Sequence, residues 1–384
     1  MTVEQYAVFA SNVLRVPILA ATGRRDDPRV DTQQSPVAGA MTDPALETLF
    51  APFLEGRLEW PVEGALFLRA RAGAALQSRS WSGLVCQQSF KPDVDALRRI
   101  GMRMQAGALG GYPLVLLLAP RQRAEARALM ACALAATNPG GRIVACAAND
   151  EGARSSEADL RRIAGPVKTL SKNKCRVFWT EPLRGPANPT LMQEWSAMDA
   201  VRPVAGGRFL SRPGVFAWDR LDQASQLLAT HLPRDLAGRA ADLGSGFGYL
   251  SDELLTRCPG VTRLDVYEAE ARALELSRWN LAAFEQRVSI EYHWHDVLSG
   301  LPCMYDLIIM NPPFHVGSGG AERPDLGRRF IAVAAESLNA GGRLWLVANR
   351  HLPYETVLNA SFGRVRILTQ ENGYKVVEAV KAAR

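Results

Sequence analysis

From Arg239 to the end of the chain, short apolar runs of strand length alternate with stretches of helical spacing, and the last two runs are separated only by Glu371-Asn-Gly373. The runs are 239–243, 263–268, 288–292, 306–310, 343–348, 364–369 and 375–380. Strands that are apolar along their whole length, with helices between them, are buried on both faces, and that is the pattern of a parallel sheet with crossover helices. Asn-Gly tolerates the positive φ angles of a tight hairpin, so the last pair must run antiparallel. The second half is therefore expected to be a mostly parallel seven-stranded α/β sheet that ends in an antiparallel hairpin.

The first half is less regular. Strand-like runs fall at 65–69 and 114–119, and a helical run follows at 121–136. The turn Asn138-Pro-Gly-Gly141 then leads into a buried strand at 142–146. This unit echoes a later one. Leu116 to Asn149 and Leu307 to Asn349 both run strand, helix, turn, strand, with Asn138-Pro-Gly-Gly-Arg142 matching Asn339-Ala-Gly-Gly-Arg343. Matched turn residues predict a duplicated architecture. The first copy lacks a glycine loop, and it carries Ala119-Pro-Arg-Gln122 where the second carries Asn311-Pro-Pro-Phe314.

A chain of 384 residues is long enough for two domains. Its composition, 47% hydrophobic and 22% charged, is that of a globular protein. Pro182, Gly185-Pro-Ala-Asn-Pro189 and Ala205-Gly-Gly207 are rich in turn formers, which predicts a linker at 185–207 between domains at 1–184 and 208–384. A net charge of +6 favours an acidic partner such as nucleic acid. Cys86, Cys132, Cys146, Cys175, Cys258 and Cys303 form no metal-binding spacing, and most lie in apolar runs, as reduced cytoplasmic cysteines do; no metal is expected. The polar start of the chain does not resemble a signal peptide, and the apolar stretch 114–119 is too short to cross a membrane.

Three motifs in the second half point to a nucleoside ligand. Ala241-Asp242-Leu-Gly244-Ser245-Gly246-Phe-Gly248 closes a strand and opens a helix, and its glycines permit a tight turn that a ligand can approach closely. Glu268 ends the next strand, where a carboxylate can accept both ribose hydroxyls. It would serve a nicotinamide dinucleotide and S-adenosylmethionine equally well. Asp296 and Val297 follow the third strand, a place where methyltransferases typically set an acidic residue against an adenine amino group with help from the next residue's backbone, although Asp296 also suits a helix N-cap.

The fourth motif, Asn311-Pro312-Pro-Phe314, follows the strand at 306–310. Two prolines stiffen the loop and remove two backbone donors. The Asn311 side-chain oxygen and the carbonyls remain as acceptors. A planar exocyclic amine offers two N–H donors and a poor nucleophile, and two acceptors can hold it toward a methyl donor. Phe314 can stack on the base. A hydride-transfer enzyme explains the glycine loop and Glu268, but neither this loop nor the terminal hairpin.

On these residues the C-terminal half resembles the ribosomal RNA guanine-N2 methyltransferases of the small- and large-subunit types. The resemblance extends over Pro213-Gly-Val-Phe216, Leu221-Asp-Gln-Ala-Ser-Gln-Leu-Leu228, the glycine loop, Asn311-Pro-Pro-Phe-His315, Gly342-Arg-Leu-Trp-Leu-Val-Ala-Asn349 and Tyr374-Lys-Val-Val377. It implies two tandem Rossmann-like class I methyltransferase domains, the N-terminal one degenerate and the C-terminal one active. It implies S-adenosylmethionine as cofactor, held by Asp242, Gly244, Ser245, Gly246, Gly248, Glu268, Asp296, Val297 and Asn311. Catalysis would rest on Asn311, Pro312 and Phe314, with His315 packing structurally or orienting substrate rather than assisting proton loss. The partner would be ribosomal RNA, more in keeping with the small subunit on Pro213–Phe216, although Asn349-Arg-His-Leu352 is closer to the large-subunit type. A monomer is expected.

The sequence also leaves open methylation of an adenine or of a glutamine amide, or a non-catalytic RNA-binding assembly factor. Lys168, Lys172, Lys174 and Arg176, near Arg161 and Arg162, form a basic cluster suited either to RNA phosphates or simply to water.

Overall fold

The computed structural model describes residues 43–105, 110–313 and 324–383. The chain divides into two compact units. The first ends at Asp199 and the second runs from Ala200, with Ser89–Pro92 counted in the second.

The first unit runs α1 (Pro44–Leu54), β1 (Ala65–Leu68), α2 (Ala74–Gln77), β2 (Leu84–Gln87), α3 (Lys91–Arg99), β3 (Arg103–Met104), β4 (Tyr112–Leu118), α4 (Arg123–Ala136), β5 (Thr137–Ala148), α5 (Ala153–Ala164), β6 (Val167–Lys172), β7 (Cys175–Thr180) and α6 (Pro189–Ser196). Its sheet has the order β3-β2-β1-β4-β5-β7-β6, parallel as far as β5 and antiparallel beyond it.

Three features differ from expectation. The turn Asn138–Gly141 does not precede β5 but lies inside it, and the pairing with β4 skips from Tyr112↔Thr137 to Leu114↔Arg142 to absorb the extra residues. Strands β6 and β7 carry the basic cluster. The polar β6, with Lys168 and Lys172 both exposed, is an edge strand, where charge discourages further pairing and masks the strand signal. The segment 185–207 is not an open linker. Its turn formers start a helix, with Asn188 Oδ1 accepting from Leu191 N at 2.9 Å and Pro189 in the first turn. Leu191 and Trp195 of that helix are buried in the core of the first unit.

The second unit opens with a small hairpin, β8 (Arg202–Val204) and β9 (Phe209–Ser211). It continues α7 (Gln223–His231), β10 (Ala237–Leu243), α8 (Tyr249–Arg257), β11 (Gly260–Glu268), α9 (Ala271–Leu281), β12 (Ser289–Trp294), β13 (Tyr305–Met310), α10 (Pro324–Glu336), β14 (Leu338–Asn349), α11 (Glu355–Ser361), β15 (Arg364–Glu371) and β16 (Tyr374–Val380). The order β12-β11-β10-β13-β14-β16-β15 repeats that of the first unit strand for strand. The tandem architecture is therefore real, and the terminal hairpin forms as expected, with Asn372 and Gly373 both at positive φ.

The centre of this sheet is dry. Leu307, Ile308, Ile309 and Met310 of β13 are all buried, and each such side chain stabilises the fold by roughly 1.5–3 kcal/mol. That burial fixes where β13 ends and hence where Asn311 begins. On one face α10 comes so close to the turn before α11 that Gly327 leaves no room for a side chain beside Tyr354. Among the described residues no helix is long and apolar enough to cross a membrane.

Candidate active site

Four of the expected motifs share one edge of the second sheet. Glu268 ends β11, Gly244 follows β10, Asn311 follows β13, and Asp296 lies just past β12, whose Trp294 pairs with Glu268. These strands are parallel neighbours, so their carboxyl ends present the motifs together, at the place where open α/β sheets bind ligands.

The glycine loop hangs on its neighbour. Gly244 N and Ser245 N both donate to the Tyr267 carbonyl, at 2.9 and 3.1 Å. Gly246 takes φ +58° with nothing within 4 Å of where a side chain would start, so its backbone faces open space. Its N–H donates to Glu268 Oε2 at 2.8 Å, while Glu270 N donates to Oε1 at 2.8 Å. Two backbone donors thus orient the carboxylate and leave each oxygen further acceptor capacity. Burial pushes the Glu268 carboxyl up to about 7. Asp242 is also buried, and burial pushes it up to about 7. One of its oxygens accepts from Ser251 Oγ at 2.7 Å, and the other has no partner among the described residues.

Asn311 stands across the loop. Its Nδ2 donates to Asp222 Oδ2 at 2.9 Å and to Ser225 Oγ at 3.0 Å. A narrow cleft lies between Phe216, Asp222, Ser225, Gly244–Phe247 and Asn311. Pro312 is buried beside it, while Phe314 and His315 lie outside the described residues.

Asp222, Ser225 and Phe216 carried no assigned role in the sequence reading. The signal for Asp222 was its place before a helical run: its carboxylate caps α7, accepting from Ser225 N at 2.8 Å. Phe216 is 60% exposed, which is unusual for a large apolar side chain and could not be foreseen from sequence.

Other expected residues are placed differently. Asp296 does cap a short helical turn, through Leu298 N at 2.9 Å, which occupies one oxygen. The Val297 side chain is buried in the core, so only its backbone can face a ligand. The basic cluster of the first unit is largely neutralised locally. Lys168 pairs with Glu181 at 2.8 Å, Lys172 with Glu55 at 3.2 Å, Arg161 and Arg176 with Glu157, and Arg162 with Asp159. Lys174 has no ion-pair partner among the described residues and occupies the β6–β7 turn at φ +56°.

Two further groups of charge belong to the framework. Asp265, Glu291 and His293 converge, but Asp265 already accepts from Arg239 at 2.6 Å and Tyr305 at 2.7 Å. Burial alone would raise its carboxyl; His293, Arg239 and Tyr305 hold it well below the usual range. A roomier cleft of about 490 Å³ opens at the opposite strand ends, lined by Arg343, Arg366 and Glu378, and there the arginines are committed to Glu378 at 2.7 and 3.7 Å.

Comparison with known proteins also finds two domains in tandem. Residues 206–378 match the methyltransferase small domain, and residues 76–198 match the methyltransferase small domain N-terminal. The chain is 30% identical over 273 residues to the ribosomal RNA small subunit methyltransferase C of Shewanella pealeana, a match that covers 70% of this chain and 78% of that protein. The chain belongs to that family. The Salmonella paratyphi A member is 31% identical over 282 residues, covering 73% of this chain and 80% of its own. A T. thermophilus 16S rRNA N2 methyltransferase of the same family, solved with AdoMet and guanosine, shares the fold with a TM-score of 0.72 at 24% identity, over 90% of this chain and 94% of its own.

Proposed function

We propose that this family member transfers a methyl group from S-adenosylmethionine to the exocyclic N2 amine of a guanine in small-subunit ribosomal RNA, acting as a cytoplasmic monomer. One observation carries the reading: both N–H groups of the Asn311 amide are spent on Asp222 and Ser225, so that its oxygen is the atom left for a substrate. An amine is the ligand that such an acceptor selects. The named substrates of the relatives support the choice of guanine and of the small subunit.

The described residues fit the cofactor. Gly246 leaves an open approach to backbone, Glu268 offers oriented acceptors for a ribose diol, and Asp242 keeps a buried oxygen without a partner. Asp296 has one oxygen left for an adenine amine. When bound, S-adenosylmethionine supplies an electrophilic methyl group on a sulfonium. The chain supplies orientation. The Asn311 oxygen and the Pro312 carbonyl hold the amine by its two N–H groups and draw its lone pair out of conjugation with the base. As the nitrogen bonds to carbon it becomes positive and acidic, so its proton leaves to water without a strong base. Held acceptors facing a developing positive charge are the electrostatic contribution to the rate. The first unit would serve as support and RNA contact.

The test is methyl transfer from radiolabelled S-adenosylmethionine to unmodified ribosomal RNA, free and in subunit particles, beside an Asn311→Ala control. Label in N2-methylguanosine of the small-subunit RNA, strongly reduced but still measurable in the control, is the expected result. Transfer to large-subunit RNA alone, or to another base, overturns the choice of substrate.

A further inference from the structure

The two ends of an asparagine amide are nearly the same shape, so sterics alone do not choose which one faces a ligand. Here the neighbours choose. Asp222 Oδ2, 2.9 Å from Asn311 Nδ2, is a carboxylate oxygen and can only accept. Ser225 Oγ takes the second N–H at 3.0 Å. With both donors used, Oδ1 is left without a partner among the described residues. Asp222 is itself immobilised, because the same Oδ2 accepts Ser225 N at 2.8 Å as the cap of α7. That helix is anchored by Ala224, Leu228 and Ala229 in the core.

We propose that Asp222, assisted by Ser225, is the positioning residue that sets Asn311 for methyl transfer; this rests on Asn311 being the holder of the guanine amine. A carboxylate behind the amide N–H polarises the amide and concentrates negative charge on Oδ1, making it a stronger acceptor than a free asparagine. The same charge lies behind the nitrogen that turns positive as its lone pair bonds to the methyl carbon and the carbon–sulfur pair returns to sulfur. The nitrogen then yields one N–H proton to water. Asp222 takes no proton and forms no bond.

Asp222→Asn tests this, because asparagine caps a helix as well as aspartate does and the fold is kept. Single-turnover rate on unmodified small-subunit RNA should fall on the order of 10- to 100-fold, as for loss of a preorganised polar contact. The Kd for S-adenosylhomocysteine should stay within about twofold, and the pH–rate profile should keep its shape. In a cycle with Asn311→Ala, the effect of Asp222→Asn should vanish, because the two act through one contact. Undiminished activity of Asp222→Asn, or a full additional loss in the Asn311→Ala background, overturns the inference. So does the disappearance of an acidic limb from the pH profile, which would make Asp222 a base. Weaker cofactor binding at an unchanged rate would make it a cofactor contact instead, and overturns it too. A wild-type chain that methylates no guanine overturns the underlying reading; an active wild type with an unaffected Asp222→Asn variant overturns this inference alone.

Discussion

In the first unit Arg71 Nε lies 3.2 Å from Asp43 Oδ2, and Asp43 caps α1 as Asp222 caps α7 in the second unit. The two caps hold the same place in the repeated topology, before the first central strand. In the second unit the cap faces an open glycine loop and Asn311. In the first it is taken by an arginine, the loop after β1 holds Gly73 against the Leu46 side chain, and the position of Asn311 belongs to the buried Ala119. The first unit has filled its cradle with side chains.

One cofactor per chain follows from that contrast. Titration with S-adenosylhomocysteine should give a stoichiometry near one. Gly246→Val should abolish binding altogether, since a branched side chain at φ +58° is strained and occupies the space that a ligand must enter. Two equivalents bound, or a residual site in the variant, would show that the first unit still takes the cofactor.

Glu268 should make cofactor affinity depend on pH. Burial raises its carboxyl from an ordinary 4.5 to about 7. Between those values the folded apo chain holds a proton that an unfolded chain has released, so this group's contribution to apo stability is lost as pH rises through 7. Ribose hydroxyls donate, and they prefer the ionised carboxylate. Below pH 7 the proton must therefore leave on binding, and the Kd for S-adenosylhomocysteine should weaken roughly tenfold between pH 8 and pH 6. Glu268→Gln should bind more weakly at pH 8 and show no such slope. Equal wild-type affinity at both values would remove Glu268 from the site.

How much of this could be seen in the sequence depended on how local each feature was. The second sheet was legible because apolar strands, a glycine loop and an Asn-Gly turn each carry their signal within a few residues. Glu268 was legible for the same reason, at the end of one strand. The partner of Asn311 was not: Asp222 lies 89 positions earlier and meets it only after α7 packs on the sheet. The first unit hid β6 because an edge strand needs its lysines; Lys168 meets Glu181 just past the paired β7, while the partner of Lys172, Glu55, comes from a distant element.

Lys375 and Glu355 form an uneven pair, with the lysine 2% and the glutamate 53% exposed. Lys375 Nζ donates to Leu352 O at 2.7 Å and to Glu355 Oε1 at 2.5 Å, tying down the turn after β14 at the carboxyl ends of the parallel strands. Removing the exposed partner leaves a buried charge, whereas removing the buried one leaves a glutamate that water can solvate. Glu355→Ala should therefore destabilise by about 2–4 kcal/mol, and Lys375→Met by only about 1 kcal/mol. Denaturant unfolding of the two variants checks the order, and the reverse order would mean that the lysine sheds its charge when left alone.

The lysines of the β6–β7 hairpin should contribute less to RNA binding than their number implies. An exposed ion pair is weak, yet a lysine that leaves its glutamate for a phosphate frees a carboxylate that draws cations back, so the net release of counterions from the RNA is smaller than for a free lysine. Lys168 and Lys172 are paired and Lys174 is not, among the described residues. Each free phosphate contact changes the slope of log affinity against log salt by roughly 0.7–0.9. Replacing all three with alanine should thus flatten the slope by roughly 0.7–0.9 rather than roughly 2–2.7, with most of the change already present in Lys174→Ala. Filter binding of small-subunit RNA across a salt series measures this. An unchanged slope in Lys174→Ala would take the hairpin out of the RNA contact, and a fall of roughly 2–2.7 in the triple variant would mean that RNA strips the glutamates from their lysines.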